Sequence, residues 1–347
     1  MRMRILLIGP YPPPHGGVSV HVSGIYLQLI AAGIPCRVLD TGRGRLGLGF
    51  GVVLLRHAWQ GWTLHLHTNG HNLKSWLVAL GCGLAGQSRG GCILTLHSGM
   101  APGYLHAAPR WGRRLAGLVC SLYRRVICVS DDIRNALLSL GLPPYRTEIV
   151  PACLKTERPE VSLDPSVLAW IGRHQPLFST ALFFRPEYGF DLLAAAVARF
   201  RLRYPSVGCL VMGSGEQQEE AARHLHETGV EENVLLLGDV NHDTCLALMS
   251  VSDVFVRTTL EDGDSTSVRE ALALGVPVVA SDIGTRPAGA ILFQPGNLGE
   301  MLSKVELAMA VKRDGEVPSA DCMDRLMEIY QQATAYRPEG GLCLNAK

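Results

Sequence analysis

The sequence predicts an α/β protein of two domains, each a parallel sheet with helices on both faces. Short apolar runs rich in β-branched residues alternate with segments of helical period along the chain, the pattern of strands buried on both faces. A length of 347 residues exceeds what one hydrophobic core usually serves. Between the halves, 151–165 is rich in proline and charge and keeps neither period, which reads as a linker. The expected organisation is a first domain over 1–151, a linker over 152–165, a second domain over 166–319, a closing helix over 320–333 and a disordered tail over 334–347.

Strands of the first domain are expected at 4–9, 36–39, 64–67, 92–96, 125–129 and 147–150. The first ends in Gly9-Pro10-Tyr11-Pro12-Pro13-Pro14-His15-Gly16-Gly17, a rigid turn that delivers two glycines to a helix start. Val18, Val22, Ile25, Leu29 and Ala32 then fall on one side of that helix. Glycines there let backbone approach an anion, but the spacing is not the G-x-G-x-x-G dinucleotide fingerprint, and Asp40 is the only acid near the second strand's end. An anion loop and a structural turn both fit Gly16 and Gly17. The second domain repeats the rhythm with strands at 177–184, 208–212, 233–237, 254–257, 276–280 and 290–293. After Gly299 one helical period runs through Met309 and another covers 321–332.

Lys and Arg number 32 against 31 Asp and Glu, yet residues 1–160 hold 17 basic and 6 acidic side chains (+11) and residues 161–347 hold 15 and 25 (−10). Arg110, Arg113, Arg114, Arg124 and Arg125 cluster around 111–123. That segment reads either as an amphipathic basic helix suited to an anionic bilayer surface or as a solvated helix face over a core stripe of Leu115, Leu118, Val119 and Leu122. The apolar stretch 75–87 is shorter than the ~20 residues of a spanning helix, so no transmembrane segment is expected. Met1-Arg2-Met3-Arg4 runs straight into a strand without the marks of a secretory signal, and a cytoplasmic protein is expected. Ten cysteines form no C-x-x-C pair and read as reduced, buried small hydrophobes; the histidines are dispersed apart from His65, His67 and His71, so no metal site is expected.

The most informative stretch is 260–284, L-E-D-G-D-S-T-S-V-R-E-A-L-A-L-G-V-P-V-V-A-S-D-I-G. Asp262 and Glu270 stand eight residues apart around a small polar turn, with Glu270 on an amphipathic helix that ends at Gly275. Gly263, Ser265, Thr266 and Ser267 are small enough to let backbone N–H groups meet a ligand at that helix's N-terminus, where the macrodipole favours negative charge. A diphosphate could be held this way without a metal. Plain turn chemistry and an acid that merely stabilises the helix dipole are the alternatives.

The Gly-Gly loop after the first strand, His97 in Thr95-Leu96-His97-Ser98, Arg185 in the segment 183–193 and the acid pair together resemble the family 4 glycosyltransferases of the GT-B fold, most closely bacterial enzymes of surface polysaccharide synthesis. The resemblance covers nearly the whole chain, and its most specific part is E-A-L-A-L-G-V-P-V-V-A-S-D after Asp262. It implies two Rossmann-like domains facing across a cleft, with the closing helix crossing back to the first. It also implies a metal-independent retaining hexosyltransferase with no tightly bound cofactor. The donor would be a nucleoside-diphosphate sugar of UDP or GDP type, the acceptor a glycan or polyprenyl-linked molecule. Nucleic acid is not an expected partner, and a peripheral position at the inner face of the cell membrane is. Carried over, Glu270 holds the ribose hydroxyls and Arg185 neutralises the leaving diphosphate. Asp262 contacts donor sugar hydroxyls, Gly263, Asp264, Ser265, Thr266 and Ser267 face sugar and phosphates, Gly16 and Gly17 close over the diphosphate, and His97 points at the transferred sugar.

The chain departs from the family pattern in places. Tyr188 stands where the diphosphate lysine is expected, the Arg-to-Gly segment is two residues short, and the first acid of the pair is Asp. Arg257, Arg269 or Arg286 are the candidates for the lost charge, Arg286 by reaching the phosphates. A nucleotide-sugar epimerase on the same fold and a catalytically inactive GT-B scaffold protein are the alternative functions.

Overall fold

The computed structural model describes residues 3–42, 47–88, 91–152, 156, 158–311 and 322–335. Its strands and helices alternate. The order is β1 Ile5–Gly9, α1 Gly17–Ala31, β2 Cys36–Asp40, α2 Leu48–Trp59, β3 Thr63–Thr68, α3 Leu73–Ala85, β4 Cys92–Leu96, α4 Met100–Ala107, α5 Arg110–Ser121, β5 Arg125–Cys128, α6 Asp131–Ser139 and β6 Thr147–Ile149. It continues with α7 Pro165–Ile171, β7 Leu177–Ala181, α8 Phe190–Arg201, β8 Gly208–Met212, α9 Gln218–Glu227, β9 Val234–Gly238, α10 His242–Val251, β10 Val254–Arg257, α11 Thr266–Ala273, β11 Val278–Ser281, β12 Ile291–Phe293, α12 Leu298–Ala310 and α13 Cys322–Ala335.

Two parallel six-stranded sheets result, ordered β2-β1-β3-β4-β5-β6 and β12-β11-β10-β7-β8-β9. The apolar runs explain the strands: all five residues of β1, β4 and β8 are buried, as expected where helices cover both faces. Several helices start on a side-chain cap that accepts a backbone N–H: Asn72 from Ser75, Ser130 from Ile133, Asn241 from Thr244 and Asn297 from Glu300. Each such cap contributes about 1 kcal/mol. The strand order reverses between β1 and β3 in the first sheet and between β7 and β10 in the second. In open α/β sheets the crevice beyond the strands' carboxyl ends at such a reversal is where ligands bind.

The chain falls into two compact units: 1–10, 25–151 and 321–347 form one, 11–24 and 152–320 the other. The proline turn and the first turns of α1 therefore belong with the second unit. In the first unit, α13 buries Leu326, Ile329, Tyr330 and Ala333, a 3-4 helical stripe. The Tyr330 hydroxyl meets His65 Nδ1 at 2.6 Å, and His65 Nε2 meets Thr95 Oγ1 at 2.7 Å. In the second, Val197, Val211, Val256 and Val305 belong to one core cluster and Leu210, Met249, Phe255 and Val278 to another, one on each face of the sheet.

Three boundaries shift for physical reasons. The run 177–184 pairs only as far as Ala181; Leu182 and Phe184 stay buried but turn into a loop, with Phe184 N–H donating to Ser214 O at 3.2 Å. The ladder of β11 starts at Val278 because Pro277 lacks an N–H, although its carbonyl still accepts from Phe255 at 2.9 Å. Thr334 and Ala335, expected in the tail, are helical; the rest of the tail and linker positions 153–155 and 157 lie outside the described residues. The eight described cysteines are free, and all but Cys245 are buried. Burial pushes the thiols of Cys82 and Cys209 up to about 12, so they behave as apolar filler.

Candidate active site

The second sheet's reversal point brings together the loops after β7, β10 and β11. After β7 the chain reaches Arg185, which is exposed and has no ion pair among the described residues. Its guanidinium lies 5.7 Å from the centre of the Phe183 ring. The following turn ends at Gly189 (φ +65°), whose added Cβ would sit 2.3 Å from Thr258 O, so only glycine lets this loop meet the one after β10.

After β10, Asp262 sits at the centre of a buried charge cluster. Its Oδ2 accepts from Arg257 Nε at 3.2 Å, Arg286 Nη1 at 3.0 Å and Thr259 Oγ1 at 3.3 Å, while Oδ1 accepts from Gly263 N–H at 3.1 Å. Burial alone raises the Asp262 carboxyl, but the Arg257 and Arg286 guanidiniums outweigh it and hold it below the usual range. Arg286, expected on the phosphates, instead spends Nε on Ser281 O at 2.9 Å and Nη2 on Thr259 Oγ1 at 3.2 Å. Arg257 donates Nη1 to Ala181 O at 2.7 Å and stacks 5.1 Å from the Tyr188 ring. Two guanidiniums on one carboxylate leave the cluster a net charge of +1, held beside the residue that replaces the expected lysine.

Asp264 is likewise committed: both oxygens accept from Arg269 Nε, at 2.8 and 2.9 Å, and Oδ2 also accepts from Ala152 N–H at 2.8 Å. Burial raises its carboxyl despite Arg269. Only its backbone is left for a ligand, and the same holds in part for Ser265, whose hydroxyl caps α11 by accepting from Val268 N–H at 3.4 Å and lies 3.2 Å from Ser267 Oγ. Gly16 and Gly17 meet this site within the same unit: an added Cβ on Gly16 would stand 2.8 Å from Phe183, and one on Gly17 3.3 Å from Thr266 Oγ1. Ser19 fixes their turn by accepting from Gly16 N–H at 2.9 Å and donating to Pro14 O at 2.8 Å.

Glu270, on α11, is 3% exposed, and its Oε1 accepts from His242 Nε2 at 2.7 Å. Sequence reasoning missed His242, because nothing in the sequence links the first turn of α10 to a helix 28 residues on. Burial lowers the His242 pKa, but the Glu270 hydrogen bond and charge, with Asp243, raise it above its ordinary value overall. A histidine raised in the folded state stabilises below its unfolded pKa of ~6.5, and the contribution disappears as pH rises through the folded value. Denaturant unfolding from pH 5.5 to 8.5 should therefore show wild-type stability falling relative to His242→Gln as pH rises past ~6.5. Parallel pH profiles would remove the pair from any role in stability.

His97 lies in the other unit, just after β4. Its Nε2 is 3.0 Å from His67 Nδ1 with the rings 5.3 Å apart, and next to it Ser98 Oγ meets His71 Nδ1 at 2.8 Å.

The two parallel sheets, the second in the 3-2-1-4-5-6 order of dinucleotide-binding folds, define a GT-B protein. Residues 174–310 match the family described as Glycosyl transferases group 1, and residues 63–158 match Glycosyltransferase Family 4. The chain belongs to the family 4, group 1 glycosyltransferases. Its similarity to the gpi3 subunit of phosphatidylinositol N-acetylglucosaminyltransferase of Schizosaccharomyces pombe is 26% identity over 53% of the chain and 40% of the relative. For the GDP-mannose-dependent alpha-(1-6)-phosphatidylinositol monomannoside mannosyltransferase of Mycobacterium tuberculosis it is 27% over 47% and 45%. The chain thus spans under half the length of these relatives. The crystal structure of HepE from Anabaena with UDP-glucose superposes with a TM-score of 0.68 at 18% identity, covering 95% of each chain. No helix among the described residues is long and apolar enough to cross a membrane.

Proposed function

We propose that the protein is a retaining, metal-independent glycosyltransferase that moves a hexose-type sugar from a nucleoside-diphosphate donor to a glycan or lipid-linked acceptor in surface polysaccharide synthesis. The observation that carries this reading is Glu270: a buried carboxylate with a single side-chain partner among the described residues, His242, at the reversal point of the second sheet. Its remaining acceptor capacity suits the ribose hydroxyls. Arg185, exposed and without an ion pair among the described residues, has its guanidinium available for the diphosphate. Backbone N–H groups from Gly263 to Ser267 at the start of α11 add fixed dipoles. Asp262, clamped by Arg257 and Arg286, offers donor hydroxyls a rigid carboxylate. Gly16 and Gly17 complete the site from the loop after β1.

In this mechanism the bond between the anomeric carbon and the diphosphate oxygen breaks as the acceptor oxygen bonds to that carbon on the same face. The acceptor proton passes to the departing diphosphate, so no protein nucleophile is needed. The relatives' names, which carry mannose, N-acetylglucosamine and phosphatidylinositol, support a hexose and a lipid acceptor. UDP- and GDP-sugars remain the two donor classes, HepE being a UDP-glucose complex and the mycobacterial relative GDP-mannose-dependent.

The test is calorimetric titration of UDP and GDP, followed by nucleoside diphosphate release from the matching sugars. Glu270→Ala should weaken nucleotide binding by about tenfold or more, the loss of one charge-assisted contact. Unchanged affinity would sink the donor-site assignment. One observation favours a second reading: with Tyr188 in the lysine position and Arg257, Arg269 and Arg286 all tied to acids, the protein could be an inactive binding scaffold. Nucleotide binding without diphosphate release from any donor, in the presence of acceptor extract, would establish that instead.

A further inference from the structure

The buried positions of α11 are Ser267, Val268, Glu270, Ala271 and Leu272, so Glu270 carries a charge into an otherwise uncharged face. A buried carboxylate is costly unless it is paired and hydrogen-bonded, and the partner used here is a histidine, whose Nε2 meets Oε1 at 2.7 Å. The choice of partner decides what is left over. An arginine engages both oxygens of a carboxylate, as Arg269 does on Asp264 at 2.8 and 2.9 Å; one imidazole nitrogen engages one. Asp262 is also fully occupied, by Arg257, Arg286 and Thr259 on Oδ2 and by Gly263 N–H on Oδ1. By contrast, Glu270 Oε2 accepts no hydrogen bond among the described residues.

His242 is itself held in place. It is the first residue of α10, whose cap Asn241 accepts Thr244 N–H at 2.8 Å. Its side chain is 33% exposed against 4% for Glu270, so the pair runs from solvent into the interior. The terminal torsion of a glutamate is broad, and a bond at Oε1 fixes the plane of the carboxylate. Oε2 and the second lone pair of Oε1 are left as acceptors at set positions. Two acceptors in one fixed plane suit two vicinal hydroxyls.

We propose that His242 is a positioning residue that holds the Glu270 carboxylate to accept both hydroxyls of a ribose, and that the pair makes the protein select ribonucleotides over 2′-deoxyribonucleotides. The proposal rests on the donor-site reading of Glu270 and adds to it the residue that sets its selectivity. A site preset to hydrogen-bond a hydroxyl rejects the analogue that lacks it, because the buried acceptor is then left unpaired. Without His242 the carboxylate can turn toward water instead, and the missing hydroxyl costs less. The selection also varies with pH. Below the raised folded pKa of His242 its bond to Glu270 is charge-assisted, and as pH rises through that value the bond becomes a neutral one and the hold weakens. The other titratable groups around the pair are Asp243 and Cys245 on α10 and Asp239 just before it; burial pushes the Cys245 thiol well above its usual range, so it stays neutral.

The test is calorimetric titration of the full chain with UDP against 2′-deoxy-UDP and with GDP against 2′-deoxy-GDP, read as the ratio of the two affinities. The ratio cancels titration of the diphosphate and any general loosening of the fold. Wild type should prefer the ribonucleotide by at least about tenfold. His242→Ala should bring the preference down to about twofold or less. His242→Gln keeps an N–H donor without the charge and should give an intermediate ratio that stays flat between about pH 6 and 9, the range over which the wild-type ratio falls. A wild type without preference, full preference in both variants, or an equal loss of affinity for the two nucleotides would each overturn the positioning role. In those cases binding that weakens in Glu270→Ala leaves the donor site standing, whereas a wild type that binds no nucleotide overturns both.

Discussion

Replacing Arg185 by alanine lowers turnover by about a hundredfold or more while leaving the melting curve in place. Both halves of that expectation come from its surroundings. Arg185 is exposed and has no ion pair among the described residues, so deleting it leaves no buried partner uncompensated. The same freedom leaves its fork available for a diphosphate. Charge builds on that group as the glycosidic bond breaks, so the contact strengthens in the transition state and its loss falls on kcat more than on KM. Removing one preorganised donor of this kind typically costs about 10²–10³ in rate. Lysine at the position restores part of the activity, since it keeps the charge but loses the planar fork and its stacking on Phe183. Steady-state kinetics of Arg185→Ala and Arg185→Lys with thermal unfolding in parallel would decide it; wild-type kcat in Arg185→Ala removes the residue from the chemistry.

The fold was legible because parallel strands buried on both faces announce themselves as apolar runs. Three of the expected strands, 92–96, 208–212 and 254–257, match β4, β8 and β10 to the residue. Where the reading overran, as at Leu182 to Phe184, the residues were apolar for a reason other than pairing: they fill a buried loop against which Gly213 and Gly215 pack their backbone. The acid pair was legible as a pattern, since Ser265 and the small residues before α11 are local signals. The partners of those acids were not. Arg286 and His242 reach Asp262 and Glu270 only through the tertiary approach of segments 24 and 28 residues away, while Arg257 meets Asp262 where the turn after β10 folds back on the strand's last residue. That approach rests on backbone such as Gly284 (φ +64°), where an added Cβ would lie 2.3 Å from Asp262 O. Side-chain spacing carries no record of such contacts, so Arg286 reads in the sequence as a phosphate ligand and in the structure as a clamp on Asp262.

That clamp makes Asp262→Ala the substitution with the largest expected cost in stability, about 3–5 kcal/mol. Arg257 and Arg286, with side chains 10% and 3% exposed, would be left in the interior with no carboxylate between them. The loss arises from the stranded charges, and Asp262→Asn separates it from cavity formation: it keeps the shape and one acceptor oxygen for the guanidiniums, and removes the charge together with the second acceptor, which holds Gly263 N–H. The pH dependence supplies the internal control. The folded Asp262 pKa lies below its unfolded value, so its contribution is present above ~3.9 and is lost as pH falls through the folded value. The stability gap between wild type and Asp262→Asn should therefore be full at pH 7 and shrink as pH drops below ~4. With two units in the chain, unfolding is best followed by exchange of the β10 and α11 amides, which report on the second unit alone. If Asp262→Asn protects those amides as well as wild type does at pH 7, the two guanidiniums have found other partners, and Asp262 is then held in place for the donor rather than for the fold.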